Sequence, residues 1–152
     1  MRNAQIRTLI RAMCVAVLAG MWGGPAAAQD FGVRAGVSVD PDQFYFGGHL
    51  ETQPLVDRLR FRPNVEIGVG DDVTVVALNF EFAYFFPSRQ QWQLYAGAGP
   101  ALNIFDTDRD SDAEAGFNIL VGAQHSRGLF FEFKVGTIDS PDFKFGVGYT
   151  WR

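Results

Sequence analysis

The segment FKFGVGYTWR, residues 143–152, carries the pattern that decides the fold. Every second side chain from residue 143 to residue 151 is bulky and apolar or aromatic, and the residues between them are small or polar. The bulky set is Phe143, Phe145, Val147, Tyr149 and Trp151. Because neighbouring residues of an extended strand point to opposite faces, this alternation predicts a strand with one apolar and one polar face.

The same period of two runs back from residue 143 to residue 31, interrupted by short stretches rich in Asp, Pro, Ser and Gln. It predicts eight strands, at Phe31–Val39, Gln43–Glu51, Arg60–Gly70, Val73–Phe86, Gln91–Ile104, Ala113–Gln124, Gly128–Ile138 and Asp142–Trp151. Short connections between successive strands are typical of an all-β, antiparallel, up-and-down meander. Closing such a meander into an eight-stranded barrel removes both exposed edges.

The first 28 residues predict a cleaved export signal. They contain three arginines and no acidic residue, and the apolar run 13–21 (MCVAVLAGM) is too short to span a bilayer as a helix. The small residues Ala26–Ala28 provide a cleavage site. We therefore expect a signal peptide at 1–28 and one β-barrel domain at 29–152.

Charge and cysteine content exclude several functions. Three of the 13 basic residues fall in the predicted signal, so residues 29–152 carry ten basic and 17 acidic residues, a net charge of about −7. Nucleic-acid binding requires a basic face, so no nucleic-acid partner is expected. Cys14 is the single cysteine and lies in the signal, so the exported domain would have no disulfide, thiol nucleophile or cysteine-based metal site. No cofactor is expected.

The composition of the two faces distinguishes a membrane barrel from a soluble one. All but one of the glycines after residue 28 share the phase of the polar residues, whereas most of the 15 phenylalanines share the apolar phase. The interior of an eight-stranded barrel is just wide enough for side chains, so the glycine-rich face belongs inside. The sequence therefore predicts a transmembrane barrel with its bulky face in lipid. The alternative, a soluble periplasmic lipocalin-like carrier of an apolar ligand, would need the bulky face inside.

Charged residues of the polar phase predict a network inside the lumen. Its expected members are Arg34, Arg62, Glu66, Glu81, Glu114, Glu132, Lys134 and Lys144. Unpaired charges are costly in a narrow, poorly hydrated interior, so these groups should pair across strands. We expect a plugged polar lumen in preference to an ion pathway, with His49 forming a hydrogen bond inside it.

The segment 105–114 (FDTDRDSDAE) is a weak candidate for a Ca²⁺ site. Its possible ligands alternate along the chain: Asp106, Asp108, Asp110, Asp112 and Glu114. Carboxylate oxygens suit Ca²⁺, but Ser111 replaces the glycine and Phe117 the final glutamate of an EF-hand loop. A solvated acidic loop is the preferred interpretation.

His125, Ser126 and Glu132 raise the hypothesis of a hydrolytic triad. Neighbours on a strand point to opposite faces, so His125 and Ser126 cannot easily meet if both are extended. They also fall in a predicted tight turn. We therefore expect no catalytic residues and no enzyme activity.

The exported chain, the strand meander and the Phe143–Trp151 ending resemble the small outer-membrane β-barrel families of Gram-negative bacteria, the OmpX and OmpA-barrel group. The resemblance covers residues 29–152 and rests on pattern. It implies a monomer in the outer membrane with a structural or surface-interaction role, and membrane lipid as a partner. The last strand looks like the signal that the outer-membrane assembly machinery binds, although Arg152 follows Trp151 where the family usually ends on the aromatic residue.

The resemblance also implies that the barrel begins in the periplasm. The connections at 40–42, 71–72, 105–112 and 139–141 would then face outside, and those at 52–59, 87–90 and 125–127 inside. A lipid A-modifying barrel enzyme, the remaining alternative, would need catalytic groups near the outer leaflet. His125 would lie at the opposite side.

Overall fold

The computed structural model describes residues 29–71, 73–107, 109–138 and 142–152. The predicted export signal lies outside these described residues and stays a prediction. The strands are β1 (Asp30–Val39), β2 (Gln43–Glu51), β3 (Leu59–Val69), β4 (Thr74–Phe85), β5 (Trp92–Asp106), β6 (Ser111–His125), β7 (Leu129–Thr137) and β8 (Phe143–Trp151). The described part of the chain holds no helix of sufficient length and apolar character to cross a membrane.

Each strand pairs antiparallel with its neighbours in sequence, and β8 pairs with β1 from Phe31↔Trp151 to Val39↔Phe143. The barrel is therefore closed, which removes the two edge strands that an open sheet would have. The predicted fold class, an eight-stranded antiparallel up-and-down barrel, is confirmed, and each predicted strand lies within about two residues of an observed one.

The β5–β6 connection is shorter than expected. The predicted connection at 105–112 is wrong in extent, because the β5–β6 ladder continues through Phe105↔Asp112 to Asp106↔Ser111. The turn is closed by the Thr107 amide and hydroxyl, which donate to the Asp110 carbonyl at 2.9 and 2.8 Å. The acidic composition resembles a loop, but continuous backbone pairing keeps the segment extended.

The outer face of the barrel is apolar along every strand. Phe44, Ile119 and Phe145 expose 56%, 50% and 52% of their surface, so these side chains point away from the barrel interior. The polar and charged side chains of the same strands are buried inside. A barrel with an apolar outer face and a polar interior is more stable in lipid than in water. It does not favour the soluble carrier, which would need an apolar interior.

Inward rings lie directly opposite glycines. Four register pairs show this exchange: Tyr45 with Gly36, His49 with Gly32, Tyr95 with Gly122, and Phe130 with Gly148. A Cβ added at each of these glycines would collide with the ring opposite it. The glycines therefore provide the space in which large side chains cross the narrow lumen.

The barrel has two ends that differ in their connections. The entry end, where β1 begins and β8 finishes, holds connections 52–58, 86–91 and 126–128. The far end holds the connections between β1 and β2, β3 and β4, β5 and β6, and β7 and β8. Aromatic residues gather on the outside of the entry end, where Trp92 stacks on Phe131 and Trp151 packs against Phe31 and Tyr149. Their position matches the aromatic girdle of membrane barrels.

A glycine pair tests this packing. We expect Gly122→Ala to lower the free energy of unfolding by about 1–3 kcal/mol, because the new Cβ would overlap the Tyr95 ring and lie 2.6 Å from the Phe131 carbonyl oxygen. Gly48 faces outward, and a Cβ there would meet only the Gly32 carbonyl oxygen, at 3.6 Å. Gly48→Ala should therefore be neutral. Urea unfolding in lipid vesicles measures both variants, and equal stability of the two would contradict the packing argument.

Candidate functional site

The strongest concentration of chemical groups lies in the lumen. Four cations and four carboxylates are buried there: Arg34, Arg62, Lys134, Lys144, Glu51, Glu66, Glu81 and Glu132. We call these eight residues the lumen network. They come from β1, β2, β3, β4, β7 and β8, all in the inward phase of their strands. Their formal charges cancel, which allows a charged interior at a tolerable desolvation cost.

Glu132 is the central carboxylate of the network. Its Oε1 lies 3.1 Å from Arg34 Nη1 and 3.5 Å from Lys134 Nζ. Its Oε2 accepts hydrogen bonds from Arg62 Nη1 at 3.0 Å and from the Tyr95 hydroxyl at 2.7 Å. One β7 side chain thus links strands on opposite sides of the barrel.

Glu66 is the second hub, nearer the far end. Lys134 Nζ and Lys144 Nζ lie 2.8 and 2.7 Å from its two oxygens, and Arg34 Nη1 lies 3.3 Å away. Lys134 also contacts Glu81 at 2.7 Å. Because Lys134 touches three carboxylates, it connects the two hubs.

An amide chain continues the polar packing beside Glu81. The Asn64 side-chain amide donates to Glu81 Oε2, the Asn79 amide to Asn64 Oδ1 and the Asn118 amide to Asn79 Oδ1, each at 2.8 Å. The chain crosses from β3 through β4 to β6. It satisfies polar groups in the part of the lumen that the ion pairs do not fill.

Glu51 joins the network to the entry end. It is paired with Arg60, and its oxygens lie 3.3 Å from Arg62 Nε and 3.4 Å from Arg152 Nη2. Arg152 Nε also forms an ion pair with Asp30 Oδ2 of β1, at 3.6 Å. The residue that departs from the usual family ending therefore turns inward and ties the end of β8 to β1 and β2.

Aromatic rings cover the arginine faces. The Arg62 guanidinium lies 4.8 Å from the Tyr95 ring centre and 5.1 Å from that of Phe130, and Arg34 lies 5.4 Å from Phe130. Nε and Nη2 of Arg34 and Nη2 of Arg62 have no hydrogen-bond partner within the described chain, and Arg62 Nε meets Glu51 only as an ion pair at 3.3 Å. The π-faces offer these desolvated cations an attractive contact in place of water.

The structure brings seven of the eight predicted lumen residues together and leaves Glu114 out. Glu114 has the inward phase but is exposed, and no ion pair reaches it among the described residues. The reason is the position of Glu114 along the barrel axis. β6 pairs with β7 only from Phe117↔Thr137 onward, so Glu114 lies on the part of the β5–β6 hairpin that extends past the end of β7. The prediction that Glu114 belongs to the lumen network is therefore wrong.

The candidate Ca²⁺ ligands do not converge. Asp108 lies outside the described residues, and the described part of the chain contains no group of three His, Cys, Asp or Glu suited to a metal ion. Asp106 pairs with Ser111, and Asp112 pairs with Phe105, so Asp106 and Asp112 point to opposite faces of the hairpin. Ca²⁺ binding there stays a prediction.

The hypothetical triad is also not assembled. His125 is on the outer side of the entry end, where Nε2 lies 3.1 Å from Gln91 Oε1 and the ring packs on Trp92. His125 Nδ1 accepts a hydrogen bond from the backbone N–H of Arg127 at 3.1 Å. Glu132 is inside the lumen, so the barrel wall separates the two side chains.

Sequence reasoning missed two inward rings near the entry end of the lumen. Phe85 stacks on Tyr95 with ring centres 4.9 Å apart, and Phe130 lies edge-on to His49 at 5.2 Å. Both phenylalanines are buried, at 2% and 1% exposure. The glycine opposite Phe130 was an available signal, since a bulky inward residue needs such a partner.

Comparison with known structures identifies the fold. The N-terminal β-barrel domain of Pseudomonas aeruginosa OprF superposes with a TM-score of 0.62 at 15% identity, covering 81% of this chain and 96% of that one. Neisserial surface protein A gives 0.63 at 13% identity, covering 81% and 94%. The chain has the fold of a small outer-membrane β-barrel. The resemblance to the OmpX and OmpA-barrel group is thus confirmed at the level of the fold.

The outer membrane enzyme PagL is also similar, with a TM-score of 0.50 and 14% identity over 82% of this barrel chain and 99% of that one. No family model matches the sequence. No curated protein matches it either. The likeness to these barrels is therefore one of architecture.

The lumen network predicts a sharp contrast between two glutamates. We expect Glu132→Gln to lower the free energy of unfolding by about 3–5 kcal/mol, because it leaves Arg34 and Arg62 buried with one carboxylate too few. Glu114→Gln makes the same chemical change at an exposed position and should change stability little. Urea unfolding followed by tryptophan fluorescence compares them. A small effect of Glu132→Gln would contradict the central role of this carboxylate.

Proposed function

We propose that this chain is a monomeric outer-membrane β-barrel protein with a plugged polar lumen and a structural or surface-interaction role. The observation that carries the proposal is the lumen network, in which four cations and four carboxylates pair across the interior. The predicted export signal and the fold support the outer-membrane location. Membrane lipid and the outer-membrane assembly machinery are the proposed partners.

Two levels of packing support a plugged lumen. Near the middle of the lumen, Lys134 contacts both Glu66 and Glu132, so one cation links two carboxylates. Toward the entry end, the buried Phe85 and Tyr95 rings stack inside the lumen. A passing ion would have to separate buried ion pairs and displace rings, at a cost of several kcal/mol for each unpaired charge.

Electrical recording tests the plug. The chain reconstituted in a planar bilayer should give no steady single-channel current, because a passing ion would have to separate the buried ion pairs of the lumen network. Heat-modifiable gel migration of the same preparation confirms that the barrel is folded. Steady, uniform conductance steps from folded protein would refute the plugged lumen.

A non-catalytic role is supported by the separation of the chemical groups. PagL is an outer membrane enzyme on a similar barrel, so the fold itself permits catalysis. In this chain His125 is hydrogen-bonded to Gln91 on the outer side, whereas Glu132 is held by Arg34 and Arg62 inside. A lipid A-modifying activity would need such groups side by side at a membrane surface.

The far end offers the surface for an interaction role. Its connections are short, and aspartates recur in all of them, at Asp40, Asp42, Asp71, Asp110 and Asp142. In the topology expected from the sequence this end faces the outside of the cell. Short acidic connections suit contact with cationic groups better than a broad protein receptor.

Cell fractionation tests the location. We expect the chain to sediment with outer-membrane vesicles in a density gradient and to resist extraction by high salt, because its outer face is apolar. A known periplasmic protein and a known outer-membrane porin serve as the controls. Recovery in the soluble periplasmic fraction would contradict the proposal and restore the carrier alternative.

A further inference from the structure

We propose that the entry end binds the phosphate groups of anionic phospholipids through three arginines, one from each of its connections. Arg58 lies in connection 52–58, Arg89 in 86–91 and Arg127 in 126–128. The inference deepens the proposed function and rests on the barrel spanning a bilayer.

The three arginines are the cations that the rest of the molecule leaves available at this end. Each is exposed, and none of their guanidinium groups has a hydrogen bond or ion pair to any described residue. The other two entry-end arginines are engaged, Arg60 with Glu51 and Arg152 with Asp30 and Glu51. Each of the three connections at the entry end therefore carries one exposed cation.

These arginines lie just past the aromatic girdle, at the level expected for lipid headgroups. Arg127 follows His125, whose ring packs on Trp92 at 5.0 Å, and Arg58 precedes Leu59, which pairs with Tyr84. Tyrosine and tryptophan rings on membrane barrels mark the boundary between the apolar core and the headgroups. Side chains one or two residues past this boundary reach phosphate depth.

The β2–β3 connection extends the lipid-facing surface beside Arg58. Val56 forms a bridge with Leu59, and directly paired residues of an antiparallel bridge share a face. Leu59 is in the outward phase, so Val56, at 72% exposure, continues the outer apolar face past the strand end. The Asp57 carboxylate accepts a hydrogen bond from the Tyr84 hydroxyl at 3.3 Å. Arg58 is left as the available charge at this apolar tip.

The residue type favours phosphate as the ligand. Lys134 and Lys144 are the only lysines of the chain, and both are in the lumen network, so every basic group outside it beyond residue 28 is an arginine or a histidine. A guanidinium presents paired N–H donors that match two phosphate oxygens, and its apolar stem can lie along the bilayer surface. The far end, by contrast, presents aspartates. The charge difference gives the two leaflets different affinities for the protein.

The two tryptophans of residues 29–152, Trp92 and Trp151, lie at this end and report on nearby lipid. The full chain, purified from membranes, is reconstituted with phosphatidylglycerol or phosphatidylcholine brominated near the top of the acyl chains. Bromine quenches tryptophan in contact with it. We expect phosphatidylglycerol to occupy sites next to the tryptophans with roughly threefold or greater preference over phosphatidylcholine. The preference should fall at ~0.5 M NaCl, because the arginines are exposed.

The combined variant Arg58→Gln, Arg89→Gln and Arg127→Gln should abolish this preference. Arg109→Gln, which removes an exposed arginine at the far end, should leave it unchanged and is the matched control. Equal quenching by the two lipids in the unmodified protein, or a preference retained by the triple variant, would overturn the inference. If the barrel did not span the bilayer, neither brominated lipid would quench the tryptophans, and the proposed function would fail instead.

Discussion

The carboxylate of Glu132 is the point on which the interior depends. Arg34 of β1, Arg62 of β3 and Tyr95 of β5 all direct a donor at its two oxygens. Each of those groups is desolvated, and each would be costly to bury without this partner. A single β7 side chain thereby fixes the relative position of strands far apart in the sequence.

The narrow lumen imposes the second constraint. Large inward rings and long cationic side chains can share the space only if other inward positions have no side chain. Gly122 beneath Tyr95 and Gly148 beneath Phe130 satisfy this requirement. The rings in turn cover the arginine faces, so the glycines indirectly support the ion pairs. The apolar side chains that the lumen cannot hold lie on the outside, where lipid receives them.

The two ends of the barrel carry most of the exposed charges. Charges that reach the lumen are paired there, so the exposed charges concentrate in the connections. The far end presents aspartates, and the entry end presents three arginines beside the aromatic girdle. An end-to-end difference of this kind matters for a membrane protein, because the two ends meet different leaflets and compartments.

The sequence by itself determined the strands, their order, the outward direction of most phenylalanines and the inward direction of most charges on the strands. These follow from the period of two and from the sizes of the residues, which are local properties. Most members of the lumen network, such as Arg34 and Lys134, were predictable for the same reason. Glu114 was not, because its phase is inward but its height above the β7 end depends on how far each strand extends.

Only the tertiary structure decided which charges meet. The ion pair between Arg34 and Glu132 joins residues 98 positions apart, and Arg62 lies between two rings from β5 and β7. Contacts across a closed barrel depend on the register and stagger of all eight strands together. Alternation in a single chain specifies which face a residue occupies, but a cross-lumen partner is set by the geometry of closure.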